Sequence, residues 1–232
     1  VTETSELTIR PYEQRDREAI RWLCCQTGFL GQPIDPVFED RELFADFLTN
    51  YYTDHEPQSC FVVEHEGQVK GYLLGSRLPL RHQFFSMLTN IKLILKGIFR
   101  YPGYSRNSRK FVGWIVRNSW REVPAAPRKT AHFHFNILPE AQSISGTRVL
   151  LDHYFNYLRK CGDRAVFGQV VTFASRRPAR VFERYGFEVI NKSRITKFDE
   201  IQDRPVYLCT VLKKLDGDKP FQSTVGMSAA QG

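Results

Sequence analysis

The sequence predicts an α/β fold: a mixed central sheet flanked by helices, with an inserted helical segment. The first observation behind this is the order of patterns. β-rich runs alternate with segments of helical periodicity as strand, helix, helix, strand, strand, insert, strand, helix, strand, helix, strand, strand. Such alternation argues for helices packed on a sheet. The second is size and composition. A chain of 232 residues with 42% hydrophobic and 25% charged content can bury a substantial core and is ordinary for a globular protein. No internal repeat breaks the pattern.

Residues 7–12 read as the first strand, with Pro11 near its end. Asp16 is expected to cap a helix to about Gln26, stopped by Gly28, with Ala19, Ile20, Leu23 and Cys24 at helical spacing. A second helix is expected from about Asp40 to Tyr52, with Leu43, Phe44, Phe47 and Leu48 on one face. Residues 59–65 and 69–76 are β-rich and meet at Glu66-Gly67-Gln68, a hairpin signal. Residues 132–138 alternate polar and apolar as a strand. A helix from about Ser145 to Lys160 buries Leu150, Leu151, Tyr154, Phe155 and Leu158. A strand over 165–171, a short helix over 178–185 closed by Gly186, and strands over 187–198 and 206–212 complete the order. Residues 1–215 are thus expected to form a single domain. Residues 216–232, small and polar with Gly and Ser, are expected to be a disordered tail.

The net charge of +8 is unevenly placed. Residues 77–130 hold twelve Lys or Arg against one acid, Glu122, a balance of +11 that leaves −3 for the remainder. Within this segment Phe84, Leu88, Ile91, Leu95 and Ile98 recur at helical spacing, and Lys92, Lys96 and Arg100 follow a neighbouring row. Residues 108–122 form a second element, with Trp114 and Trp120 among basic residues. Four readings of the insert stand open. Its apolar faces pack on the domain with the charges solvated; it is a lid over an acceptor site, selecting an acidic or bulky substrate; it is a basic amphipathic helix on an anionic membrane surface; or it binds nucleic acid. The last ranks lowest, because no recognised nucleic-acid motif is present. An acidic protein partner fits the same charge.

The five cysteines, Cys24, Cys25, Cys60, Cys161 and Cys209, form no CxxC pair and read as reduced thiols. Cys24 and Cys25 are adjacent in a helix and point to different sides. These spacings support no metal site. Residues 1–18 lack the basic start and apolar stretch of a signal peptide, and no run of 18 apolar residues occurs. The expectation is a cytoplasmic protein, peripheral to a membrane if the insert lies on one.

Three pieces then coincide. A strand ends in Ile137-Leu138-Pro139-Glu140; a polar loop follows, Gln142-Ser143-Ile144-Ser145-Gly146-Thr147; a helix opens with Arg148-Val149-Leu150-Leu151. About thirty residues later stands SRRPARVFERYGFEVI, residues 175–190. This combination resembles the GNAT superfamily of N-acetyltransferases, whose pattern is a strand, Q/R-x-x-G-x-G/A, a helix, a strand, then a short helix ending in a Gly-Phe turn. LTIRPYEQRDREAI and CFVVEHEGQVKGYLLGS resemble the family's opening strand-helix and central hairpin. The resemblance covers roughly residues 7–76 and 131–212. It departs from the family at Ser145 and Thr147, where glycine is usual.

The resemblance implies a GNAT-type, mostly antiparallel sheet. It implies acetyl-CoA or a related acyl-CoA as co-substrate and transfer of the acyl group to a small-molecule or peptide amine. Gln142, Ser143, Ile144, Ser145, Gly146 and Thr147 would meet the CoA pyrophosphate at a helix N-terminus, whose unpaired N–H groups and partial positive charge suit an anion. Arg148 would add charge. Ile137 and Leu138 would supply the backbone that holds the acyl carbonyl and its oxyanion. Ser175 stands at a position commonly asparagine, Pro178 at one commonly alanine, and Phe182 where the family's thiolate-protonating tyrosine sits. Tyr185, Tyr154 or Tyr157 could replace that tyrosine. His132, His134 and Asn136 share one face of their strand, with Phe133, Phe135 and Ile137 on the other. His134 is the general-base candidate, and Asn136 and Tyr185 complete the expected catalytic set. The alternatives are a catalytically weak acyl-CoA-binding module and a membrane- or partner-docking domain working through the insert.

Overall fold

A computed structural model describes residues 7–142, 144–173 and 182–216, with the backbone alone at Ile144 and Ser145. The expected seven strands form one sheet: β1 (Thr8–Pro11), β2 (Cys60–His65), β3 (Gln68–Ser76), β4 (Ala131–Ile137), β5 (Ala165–Phe173), β6 (Glu188–Ile195) and β7 (Val206–Lys214). Their order is β1-β2-β3-β4-β5-β7-β6. Every pairing is antiparallel except β4 with β5. The β2–β3 hairpin closes through Glu66 and Gly67, at φ 52° and 75°. Two consecutive positive φ values match the twist of paired strands, and glycine adopts one without steric cost.

Helices α1 (Arg17–Thr27) and α2 (Arg41–His55) cover one face of the sheet, and α5 (Ile144–Lys160) covers the other. Strand alternation sorts the core accordingly. Cys60, Val62, Tyr72 and Leu74 meet α1 through Ile20, Leu23 and Cys24. Phe61, Val63, Leu73 and Phe133 meet α5 through Leu150, Leu151, Tyr154, Phe155 and Leu158. Cys24 and Cys25 do point into different clusters.

Two terminal residues act differently from expectation. Asp16 stands at the start of α1 but makes no capping bond to it. Its carboxylate instead accepts from the Glu13 backbone N–H at 2.8 Å and from Arg10 at 2.7 and 2.9 Å, closing the short 3-10 turn that leads into the helix. Gly28 ends α1 in the right-handed region. A Cβ there would lie 2.7 Å from the Phe44 ring, so close packing of α2 is what requires glycine. Asp40 caps α2 by accepting from Leu43 N–H at 3.0 Å. Phe47, expected on the buried face of α2, is 59% exposed.

A buried carboxylate ties the end of α2 to the sheet. Glu56 is fully buried and accepts from the Tyr51 hydroxyl (3.0 Å), the Ser59 hydroxyl (3.1 Å), the Ser76 hydroxyl (2.7 Å) and the Arg77 backbone N–H (2.7 Å). Four donors satisfy a charge that burial would otherwise make costly. They also fix where the insert leaves β3.

The insert is two helices, α3 (Pro79–Arg100) and α4 (Arg106–Glu122). α4 packs as the simplest expectation has it: Phe111 is buried 5.3 Å from Phe38, and Trp114 donates to Glu122 at 2.8 Å. Glu122, the segment's one acid, turns inward to accept from Thr196 N–H and hydroxyl at 2.6 and 2.8 Å. α3 corrects that expectation. Its inner face leans on α2, through Arg100 to Asp40 (2.9 Å) and Glu42 (2.8 Å), Lys96 to Glu42 (2.6 Å), and Phe85 stacked on His55 at 4.1 Å. The expected apolar row of Phe84, Leu88, Ile91, Leu95 and Ile98 is exposed to solvent. Inward contacts are made by His82, Phe85, Leu93, Lys96 and Arg100 instead. Among the described residues no helix is long and apolar enough to cross a membrane.

Candidate active site

β4 and β5 run side by side for only three residue pairs, Ala131–Val166, His132–Phe167 and Phe133–Gly168. Beyond Phe133 and Gly168 they diverge, although β4 continues to Ile137 and β5 to Phe173. On its other edge β4 stays paired with β3 as far as Ile137, and the Leu138 N–H donates to Lys70 C=O at 2.9 Å. Antiparallel pairing uses alternate residues. Leu138 facing β3 therefore sets Asn136 and His134 to face β3 as well, and directs the N–H groups of Phe135 and Ile137 toward the gap that β5 leaves. Of the two backbone positions expected to hold an acyl oxygen, Ile137 points into the gap, whereas the Leu138 N–H is spent on the sheet.

A cleft of about 390 Å³ occupies this divergence on the α5 side. Phe133, Phe135 and Val170 form its strand walls; Gln142, Thr147 and Leu151 approach from the start of α5. Phe182, Tyr185 and Phe187 approach from the turn before β6. That turn is held by Phe182 C=O, which accepts from the N–H groups of Tyr185 and Phe187, both at 3.0 Å. Gly186 sits at φ 75°, and a Cβ there would meet the Lys213 ammonium. Glycine adopts this left-handed backbone without steric cost.

Much of the expected cofactor loop is the first turn of α5, which begins at Ile144. The start of α5 therefore presents the backbone N–H groups of a helix's first turn at this end of the cleft. Thr147 reaches the cleft, and Arg148 lies 3.9 Å from Asp152 one turn on. Ser143, Ser175, Pro178 and the side chains of Ile144 and Ser145 lie outside the described residues, as does the tail from 217.

The opposite face of β4 is polar and packed against α2. His134 donates through Nε2 to Leu48 C=O at 3.1 Å, which leaves Nδ1 as its acceptor nitrogen. His132 Nε2 lies 3.0 Å from the Tyr52 hydroxyl, and its ring is 4.5 Å from that of His82 on α3. Asn136 donates to the Tyr72 hydroxyl at 2.8 Å. Burial, with the neighbouring imidazoles adding to it, pushes His132 down to about 3. Burial pushes His134 down to about 4 despite the Leu48 carbonyl. Both rings are neutral at pH 7. Of the three alternative tyrosines only Tyr185 lines the cleft. Tyr154 is fully buried and donates to His132 C=O at 2.9 Å, and the Tyr157 hydroxyl lies 3.2 Å from that of Ser59.

Gln142, Thr147, Phe182 and Tyr185, expected at one site, line one cleft in the structure, whose apolar walls were not among the expected residues. Their signal was present: Phe133 and Phe135 alternate with the histidines, and Val170 lies in a run that reads as a strand. What the sequence lacked was the divergence of β4 from β5.

No protein-family model matches the chain. Solved structures do. The chain is similar to SsHAT, with 26% identity, a TM-score of 0.61, and 90% of this chain and 98% of that one covered. It is similar to the Drosophila melanogaster polyamine N-acetyltransferase, an enzyme that catalyses the formation of N-acetylagmatine, at 16% identity and a TM-score of 0.55, with 90% and 100% covered. It is also similar to yncA from Salmonella typhimurium, solved with its cofactor acetyl-CoA, at 16% identity and a TM-score of 0.52, with 93% and 97% covered.

The chain has the GNAT fold.

The order of elements read from the sequence is the GNAT order, and the helical insert between β3 and β4 is carried within it.

Proposed function

We propose that this GNAT-fold chain is an acyl-CoA-dependent N-acyltransferase that uses acetyl-CoA and passes the acyl group directly to a primary amine. The observation that carries the reading is the cleft where β4 and β5 part, because it ends on the first turn of α5. Apolar walls at Phe133, Phe135 and Val170 suit the pantetheine arm of CoA. The backbone N–H groups of the first turn of α5 and the positive end of the helix suit its pyrophosphate, and Gly146 lets the backbone come close. Gln142, Thr147 and Arg148 add polar and positive groups there. The shared fold of a polyamine N-acetyltransferase and of a protein solved with acetyl-CoA supports the same reading.

In this reading the Ile137 N–H holds the thioester carbonyl oxygen and its developing negative charge. The acceptor amine approaches from the α2 side of β4, where Asn136 offers its amide. Its nitrogen bonds to the acyl carbon, the carbon–sulfur bond breaks, and Tyr185 gives a proton to the departing sulfur. His134, neutral and anchored through Nε2, accepts the amine proton on Nδ1, directly or through water. Its depressed basicity makes deprotonation of the amine itself the event that sets the pH dependence.

Two measurements test this. Acetyl-CoA at a hundredfold its Kd stabilises the native state by about 2.7 kcal/mol, which raises Tm by roughly 5–10 °C for a domain of this size. An unchanged Tm with both acetyl-CoA and CoA would remove the reading. Thiol release over a panel of amines including agmatine and longer polyamines then tests transfer, and release at the no-amine background with every acceptor would reduce the chain to a binder.

A further inference from the structure

We propose that the outward stripe of α3 docks on an anionic lipid bilayer surface. Phe84, Met87, Ile91, Ile94, Leu95 and Ile98 are each more than half exposed, and Leu80 (70%) and Phe99 (84%) extend the row to both ends of the helix. At 100° per residue these eight positions and Leu88 fall within an arc of about 140° and run roughly 29 Å along the axis. The contacts of α3 fix which way the arc faces. Leu93, its buried residue, and the groups that touch α2, namely His82, Phe85, Lys96 and Arg100, all lie on the other side of the helix. Soluble monomers rarely leave a continuous apolar strip of this extent uncovered.

Charge decides the occupant. α3 carries Arg81, Lys92, Lys96 and Arg100 and no acidic residue. Lys96 and Arg100 are engaged by α2, whereas Arg81 and Lys92 are exposed at one margin of the stripe. α4 adds a second exposed pair of this kind, Val116 (73%) and Trp120 (72%), with Arg121 stacked 4.8 Å over the Trp120 ring. Glu122, the one acid of residues 77–130, is turned inward. A bilayer surface supplies both components at once: an apolar interior for the stripe and anionic headgroups for the margin. A second copy of the chain would bring a like-charged helix to the same face, which repulsion opposes. Among the described residues no helix, α3 included, is long and apolar enough to cross a membrane, so α3 would lie in the plane of the interface.

The test is co-sedimentation of the full chain with vesicles of phosphatidylcholine alone and of phosphatidylcholine mixed with phosphatidylglycerol. The expected result is binding to the mixed vesicles, weakened by added salt, and about tenfold or more weaker binding to phosphatidylcholine alone. Ile91→Glu/Ile98→Glu, at two exposed positions, abolishes binding with Tm unchanged, and Arg81→Ser/Lys92→Ser removes the preference for the anionic lipid. Three outcomes overturn the proposal: no binding to mixed vesicles, binding that survives Ile91→Glu/Ile98→Glu, or a wild-type dimer in sedimentation that this variant makes monomeric while neither form binds vesicles. A stripe that instead seats a protein partner gives the first of these.

Discussion

Lowering the pH from 7.5 to 5 tests the packing of the polar face of β4 directly. His132 and His134 are held neutral against α2, with their pKa values lowered from 6.5 to about 3 and about 4. The unfolded chain binds protons at both sites below pH 6.5, while the native state does not until pH 3–4. Stability therefore rises with pH wherever the unfolded state holds more protons. It is fully present above about pH 6.5 and is lost progressively as the pH falls toward the folded values. At pH 5 the unfolded state is favoured by about 2 kcal/mol per histidine, or about 4 kcal/mol for both, a large share of the 5–15 kcal/mol usual for a domain. Urea unfolding at pH 7.5 and 5, followed by tryptophan fluorescence, measures the difference. His132→Gln/His134→Gln should lose most of that difference, whatever it does to stability at pH 7.5. If the wild type is equally stable at both pH values, or if the double variant keeps the full pH dependence, the histidines are not buried neutral as described.

Filling the cleft separates binding from folding. Val170→Trp projects an indole into the 390 Å³ space and is expected to abolish the Tm increase with acetyl-CoA while leaving the ligand-free Tm within a few degrees. Tyr185→Phe is expected to lower kcat for CoA release by roughly 10²-fold, the general-acid contribution, with little change in the acetyl-CoA thermal shift. Gly186→Ala forces a side chain into a left-handed backbone and should cost about 1–3 kcal/mol in chemical denaturation. Glu56→Ala removes the acceptor shared by three buried hydroxyls and the Arg77 N–H and should cost about 3 kcal/mol or more by the same measurement.

Local rules made much of the fold legible. Two residues of turn chemistry at Glu66-Gly67 fixed the hairpin, and the apolar row after Asp40 placed the start of α2 within a residue of where it lies. Where those rules failed, the competing physics was tertiary. Asp16 sits at a capping position, yet Arg10 across the strand end and the Glu13 N–H claim its carboxylate. The periodicity of Phe84, Leu88, Ile91, Leu95 and Ile98 correctly announced an amphipathic helix, but a period does not say which medium the apolar side meets. Glu56 was invisible for another reason: its donors come from α2, the turn before β2, the end of β3 and the start of the insert, and no sequence window contains them. The candidate site shows the same division. Helix-start chemistry at residues 142–148 was readable, while the cleft depends on where two strands stop pairing, which no single segment encodes.

The short β4–β5 junction also bears on how the chain can be assembled at the ribosome. Residues through 137 contain β1 to β4, both sheet-facing helices of one side and the whole insert; β5, β6 and β7 come entirely from residues 165–214. Within the sheet only three residue pairs, all between β4 and β5, join the two groups, and α5, which lies between them in sequence, packs on both. The earlier group is a contiguous antiparallel unit that can pair its strands while the later one is still being synthesised. The outward face of α3 would then meet its surroundings before the cleft exists, since the second wall of the cleft arrives only with β5 and the Gly186 turn.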